Sequence, residues 1–234
     1  AYLSASYLVY HLLKKMKKDA TKYAWIAAMG VIGDYAFVEG KDVLEEVKRQ
    51  FPLLIDKKRP RQSLVAEGGK MISSAITVAG DKGAERALAC LLKAETFEEF
   101  AADKKLQEWS DRVGKEIELI LSTFEKKREY YPEENVSILT VASKLPVISA
   151  ISTLLAERYP QMILVIKRQD EEGVKVSLRN QSGRVDLNAI ARAAAKGIGR
   201  GGGHEKAAGA LVKDWNTFKA RLLAEVRKQD AREN

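Results

Sequence analysis

The 234-residue chain has a single cysteine, Cys90, so no intrachain disulfide can brace it. A lone thiol fits a reducing cytoplasm, where it is expected to pack as a small apolar side chain. Histidine is almost as scarce: only His11 and His204 are present, too few for a site built on converging imidazoles. No long hydrophobic run occurs. The most apolar stretch, residues 24–33, falls well short of the roughly 20 residues that span a bilayer, so no membrane partner is expected. The apolar opening from Tyr2 to Leu13 has its lysines after it and no small-residue cleavage pattern, unlike a signal peptide. The chain opens on Ala1 with helical periodicity at once, as expected after a cut or after removal of an initiator methionine.

Acidic excess is also lacking. Forty Lys and Arg against 32 Asp and Glu give a net charge of +8, which favours a polyanionic partner without naming one. Hydrophobic residues at 46% and charged residues at 31% describe an ordinary globular protein with enough chain for two domains.

The first half reads as successive helices. Residues 4–16 and 21–32 carry broad apolar faces, the second with Trp25, Ala28, Met29 and Ile32 at spacings of three and four. Asp42 is an expected N-cap for a helix bearing Val43, Val47 and Phe51, which Pro52 helps to end. Apolar periodicity continues over residues 63–79, 83–93 and 96–103. From Leu106, the residues Trp109, Val113, Ile117, Ile120, Leu121 and Phe124 mark a long amphipathic helix ending in Lys126, Lys127 and Arg128. It is expected to connect two domains, with Tyr131-Pro132 punctuating the boundary.

The period then changes. Residues 137–141 and 162–166 are short apolar runs, and Val174, Val176 and Leu178 alternate with polar residues as a half-buried strand. Helices are expected over residues 148–158, from an Asp186 cap to about Lys196, and over 215–228, with a last strand at 207–212. The fold class is therefore α/β: a helical first part, a connector helix and a smaller mixed sheet covered by helices.

The sharpest local feature is Gly199-Arg200-Gly201-Gly202-Gly203-His204, read here as a loop between a helix and a strand. Consecutive glycines give up much backbone entropy, which is tolerated where unusual dihedrals or close backbone approach are needed. Successive bare amides can form an anion-binding nest, and His204 can donate to a phosphate oxygen. The same residues also suit a flexible turn with a surface histidine. Arg179, at the end of the alternating strand, offers a guanidinium fork for the same anion, or is simply a solvated strand-end residue. The clusters Lys14, Lys15, Lys17, Lys18 and Lys57, Lys58, Arg59, Arg61 suit a nucleic-acid backbone or a solvated face equally. Trp25 and Trp109 fall on apolar stripes and Trp215 heads the last helix, to pack or to stack. His11 reads as structural.

Val185-Asp186-Leu187-Asn188, Gly201-Gly202-Gly203-His204 and Ala207-Ala208-Gly209, together with Ser177-Leu178-Arg179, resemble the C-terminal substrate-binding domain of DHH-family phosphoesterases over residues 136–228. Glu205-Lys206 departs from the Pro-Asn often found there, a change of loop stiffness. Residues 4–10 and Gly30-Val31-Ile32-Gly33-Asp34 are similar to the end of that family's catalytic domain, in its archaeal RecJ-like exonuclease branch. The resemblance implies residues 1–104 as the helical end of a DHH domain, 105–135 as connector, and 136–234 as the DHH-associated domain. It implies Arg179, Gly201, Gly202, Gly203 and His204 as phosphate binders and Asp34 as one ligand to Mn²⁺ or Mg²⁺. Read from the residues alone, Asp34 after Gly33 is a helix-end residue.

Two-metal hydrolysis needs several converging carboxylates and imidazoles. This chain has no Asp-His-His triplet and no upstream Asp-x-Asp, so it is expected not to cut by itself. Three functions stay open: the substrate clamp of a single-strand exonuclease acting on DNA or RNA, completed by an N-terminal DHH part; a non-catalytic replisome scaffold that holds nucleic acid or replication proteins; and a phosphodiesterase of short oligonucleotides or cyclic dinucleotides.

Overall fold

The structure, a computed structural model, describes residues 3–16, 18–56 and 58–233. Of the residues singled out above, Ala1, Tyr2, Lys17 and Lys57 lie outside this set. The chain forms two compact units that divide between Val113 and Gly114.

The first unit is helical. Helix α1 (Ala5–Lys15) starts at Ser4, whose hydroxyl accepts from the Tyr7 amide. Helix α2 (Ala24–Gly33) buries Ala24, Trp25, Ala27, Ala28, Met29, Val31 and Ile32, nearly its whole circumference. A helix apolar all round belongs in an interior. Helix α3 (Lys41–Gln50) is entered from Gly40 rather than from the expected cap Asp42, which sits in the first turn with Oδ2 2.9 Å from His11 Nε2. That pairing, with the Tyr7 ring tilted against the imidazole at 4.3 Å, gives His11 a structural place. Helices α4 (Leu64–Ala79), α5 (Asp81–Lys93) and α6 (Phe97–Ala101) complete the unit. Trp25 packs against Phe97 and Phe100 at its centre. Cys90 is only half-buried and donates to Asp103 Oδ2 at 3.3 Å; burial first, then this hydrogen bond, pushes its thiol pKa up.

Helix α7 (Lys104–Ser122) carries the chain from the first unit into the second, with Asp103 Oδ1 accepting from the Leu106 amide at its start. The expected single helix to Arg128 is interrupted. The hydroxyls of Ser122 and Thr123 turn back onto the carbonyls of Leu119 and Ile120, competing with the helical ladder, and a separate turn α8 (Phe124–Lys127) follows.

The second unit begins with β1 (Glu129–Tyr131) and β2 (Val136–Thr140), then α9 (Ile148–Arg158), β3 (Ile163–Asp170) and β4 (Gly173–Arg179). Helix α10 (Leu187–Ala195), β5 (Gly199–His204), β6 (Ala207–Val212) and α11 (Trp215–Glu233) complete it. The strands form one mixed sheet in the order β1-β2-β3-β4-β6-β5. Only β2 and β3 pair in parallel among the described residues. Strand β1, sequence-read as part of a boundary, is ordered by pairing Glu129 with Ile138.

The sheet sorts its side chains by twos. Val136, Ile138, Ile163, Val165, Val174, Val176, Leu178, Ala208 and Val212 face α10 and α11, meeting Ile190, Ala194, Phe218 and Leu222 in one core. On the opposite face, α9 lies over β3 and β4, where the buried hydroxyls of Ser152 and Ser177 meet at 2.8 Å. The α/β class and the helical-then-sheet order expected from sequence are what the structure contains.

Candidate functional site

Residues 199–204 are not a loop. They form the edge strand β5, antiparallel to β6, with Gly201 opposite Ala210, Gly202 opposite Gly209 and His204 opposite Ala207. The glycines are required sterically. A Cβ on Gly201 would stand 2.3 Å from the Ala191 carbonyl of α10, and one on Gly203 would stand 2.5 Å from the Ala207 carbonyl. Gly202 and Gly203 also hold φ values of 158° and 151°, which L side chains rarely adopt. Strand β5 is therefore pressed between β6 and α10.

This corrects the nest of successive bare amides. Amides of an antiparallel strand alternate between the ladder and the outside. The Gly203 amide donates to Asn188 Oδ1 on α10 at 3.1 Å. Asn188 itself is placed by the Asp186 cap, which accepts from the Asn188 and Ala189 amides as the sequence led one to expect. The turn that carries Glu205-Lys206 is held by Leu187 N–H to the Glu205 carbonyl and Asn180 N–H to the Lys206 carbonyl.

What the glycines leave behind is a bare floor. On the α9 side of the sheet, the register places Arg179, Ala207 and His204 in one row across β4, β6 and β5. Ser177, Gly209 and Gly202 form the next row, and Lys175, Leu211 and Arg200 the third. An open cleft of about 680 Å³ lies over these rows, walled by Ile148 and Ser149 of α9. Neighbouring strands are about 4.8 Å apart, so the Arg179 and His204 backbones flank Ala207 at roughly 10 Å. His204 is exposed, and Arg179 is half-buried. The Arg179 guanidinium donates to Ser149 Oγ at 3.2 Å and Ser177 Oγ at 3.3 Å, and through Ser177 it is tied to Ser152. Those hydroxyls fix the side chain along the cleft wall.

The lining holds Lys175, Arg179, Arg200 and His204, and no carboxylate lines it among the described residues. Lys175 Nζ lies 2.7 Å from Asp170 Oδ2, outside the lining. Three permanent cations and an imidazole over a floor of glycine and alanine can hold an anion, with space for a flat group above the floor. Sequence reasoning missed Ser149 and Lys175, and gave no role to Arg200 and Asn188, which stand inside the motifs singled out above. Lys175 was within reach, because it stands two and four residues from Ser177 and Arg179 on one strand.

The other sequence candidates lie elsewhere. Asp34 is the exposed C-cap of α2, and its amide donates to the Gly30 carbonyl at 2.9 Å. No group of three or more His, Cys, Asp or Glu able to hold a metal comes together among the described residues. A lone exposed carboxylate does not fit a two-metal centre. Lys14 lies 3.8 Å from Glu46, Arg59 pairs with Asp56, and Arg61 stacks 4.7 Å over Tyr35. Trp215 packs against Phe218 under the Lys167 ammonium, whose pKa is lowered by burial.

Residues 136–229 match the family model described as the DHHA1 domain. No curated protein matches. Among solved structures, RecJ from Thermus thermophilus in complex with Mn²⁺ is similar at 21% identity and a TM-score of 0.72, over 96% of this chain and 36% of that one. Its complex with Mg²⁺ gives a TM-score of 0.68 at 21% identity, over 96% and 37%. A pGpG-specific phosphodiesterase from Vibrio cholerae is similar at 14% identity and a TM-score of 0.50, over 82% of this chain and 68% of that one. The chain thus spans little more than a third of the RecJ chains it matches, shares their fold, and carries the DHHA1 match in its sheet unit.

Proposed function

We propose that this chain is the substrate-holding portion of a RecJ-like phosphoesterase acting on single-stranded nucleic acid. The observation that carries the reading is the cleft of Lys175, Arg179, Arg200 and His204, with no carboxylate in its described lining. A phosphate of the strand sits between Arg179 and His204. The guanidinium offers its fork, the imidazole donates a single hydrogen bond, and the bare floor accepts the attached sugar and base. Ser149 and Ser177 hold Arg179 in place before the ligand arrives, which lowers the ordering cost of binding.

Mn²⁺ and Mg²⁺ accompany the solved RecJ structures. Asp34 alone does not form such a centre, so in this reading the metal is held by residues outside this chain, and the chain binds rather than cuts. A non-catalytic nucleic-acid-binding scaffold shares the same cleft. The isolated position of Asp34 favours it for the chain tested alone, and hydrolysis of a labelled strand by this chain with added Mn²⁺ would overturn it.

The clamp is tested by fluorescence anisotropy with a 5′-phosphorylated single-stranded oligonucleotide. Arg179→Ala and His204→Ala are each expected to weaken binding by about 1.5 to 3 kcal/mol, the worth of a charge-assisted hydrogen bond. Unchanged affinity in both variants removes the assignment.

A further inference from the structure

The cleft does not stop at the third row of the sheet. A contiguous groove of about 630 Å³ is lined by Glu171, Glu172, Gly199, Arg200, Leu211 and Lys213, sharing Arg200 and Leu211 with the first. Arg200 and Lys213 are exposed, and neither side chain makes an ion pair or hydrogen bond with a described residue. Lys175 belongs to the same end, opposite Leu211 in the register.

Cations therefore gather at two ends of one surface. Arg179 and His204 form one end; Lys175, Arg200 and Lys213 form the other. Lys175 and Arg179 are four residues apart on β4, as Arg200 and His204 are on β5, which is about 13 Å along a strand. Between them lie Ser177, Gly209 and Gly202, without a charge. This span is too long for neighbouring phosphates of an extended strand and suits phosphates two nucleotides apart.

Resting on the reading of the cleft as a nucleic-acid clamp, we infer that the far end is a second phosphate subsite. A strand enters with one phosphate on Arg179 and His204, lays the intervening nucleotide over the glycine floor, and seats its third phosphate on Arg200, Lys213 and Lys175. Asp170 is engaged by Arg168 and Lys175 and so does not face this phosphate alone. Glu171 and Glu172, between β3 and β4, line the same groove beside Lys213, where they disfavour a further phosphate and end the contacted stretch. The substrate class is an oligonucleotide of three or more phosphates rather than a mononucleotide or dinucleotide.

The test uses the 234-residue chain and 5′-phosphorylated oligothymidylates of increasing length in anisotropy competition. Affinity is expected to step up between the dinucleotide and the trinucleotide and then level off. Lys213→Ala is expected to shrink that step and to lower the salt slope for the trinucleotide by at most about 0.7, the contribution of the one phosphate seated at the far end. Its affinity for the mononucleotide is expected to stay unchanged. Equal binding of dinucleotide and trinucleotide by the unaltered chain overturns the subsite, as does an equal loss on mononucleotide and trinucleotide in Lys213→Ala. His204→Ala separates the two levels. If it weakens every length while the far-end variant weakens only the longer ones, both readings stand. If it and Arg179→Ala both leave the mononucleotide unaffected, the clamp falls and the subsite with it.

Discussion

The helical unit and the sheet unit each bury a core but differ in what they leave outside. In the first, Leu8, Leu12, Val38, Leu53 and Leu92 are all more than half exposed. In the second, only Leu119 and Tyr130 stand out as exposed large apolar side chains among the described residues. A helix buries one stripe, and an apolar residue off that stripe stays in solvent. A strand assigns every second residue to one face, so an uncovered half-face is defined residue by residue. The cationic cleft is conspicuous for that reason: its charges lie on strand positions whose neighbours in the rows are glycine, alanine, serine and one leucine, Leu211.

Removing a central aromatic from each core gives the largest expected effects. Trp25 is 1% exposed among α2 and α6, and Phe218 is fully buried beneath the sheet. Trp25→Ala and Phe218→Ala are each expected to cost about 3 to 5 kcal/mol. Urea denaturation gives the cost, and hydrogen exchange locates it. Trp25→Ala should expose the amides of α2 and α4, and Phe218→Ala those of β3, β4 and α10. A loss under about 1 kcal/mol in either variant would mean that this core can collapse around the cavity, contrary to the packing described.

The sequence disclosed elements whose cause is local. Helix α9 covers Ile148–Arg158 as its apolar spacing predicts, and Asp186 caps α10 because an Asx side chain and a helix start suffice to define each other. Elements whose cause is distant were hidden. Glycine has poor strand propensity, and residues 199–204 become a strand only because β6 and α10 hold them from two sides. Strand β1 has three residues and exists through β2. The site was legible in part for the same reason. Arg179 and the glycine-histidine run were visible as residue types, whereas their shared row across Ala207 depends on register. Lys213 carries no sequence signal apart from charge, and Arg200 stands inside the glycine run with no role of its own to be read there.

Glycine offers a sharper comparison, because both units use it for close approach. A Cβ on Gly83 of α5 would stand 2.0 Å from the Ala75 carbonyl, and one on Gly201 would stand 2.3 Å from that of Ala191. Gly83→Ala and Gly201→Ala are each expected to destabilise by about 1 to 3 kcal/mol through overpacking. They should differ in function. Gly201→Ala displaces the strand that carries Arg200 and His204 and should weaken oligonucleotide binding at temperatures where the protein remains folded, whereas Gly83→Ala should not. Equal binding by the two variants would separate β5 from the site.

The smallest expected effect concerns two carboxylates, Asp103 in the helical unit and Asp170 in the sheet. Burial opposes ionisation of Asp103, but hydrogen bonds from the Leu106 amide, Arg86 and the Cys90 thiol outweigh it, and its pKa is lowered from 3.8. A lowered folded-state pKa means that the stabilisation is complete above the unfolded value and is lost as the pH falls through the folded one. Asp103→Asn keeps an oxygen for the Leu106 amide but gives up the ion pair with Arg86, and is expected to cost about 0.2 to 1 kcal/mol at neutral pH. The urea midpoint of the variant should fall less steeply than that of the unaltered chain below about pH 4. Asp170 is held well below the usual carboxylate range by Lys175 first, then by the Glu171 amide and Arg168, yet it lies at the exposed β3–β4 turn. Asp170→Asn should therefore leave the neutral-pH midpoint almost unchanged and release the Lys175 ammonium toward the far end of the cleft. Tighter trinucleotide binding with an unaltered midpoint is the expected pair of results; a midpoint loss as large as that of Asp103→Asn would show that the sheet unit depends on this ion pair for its fold as well as for its charge.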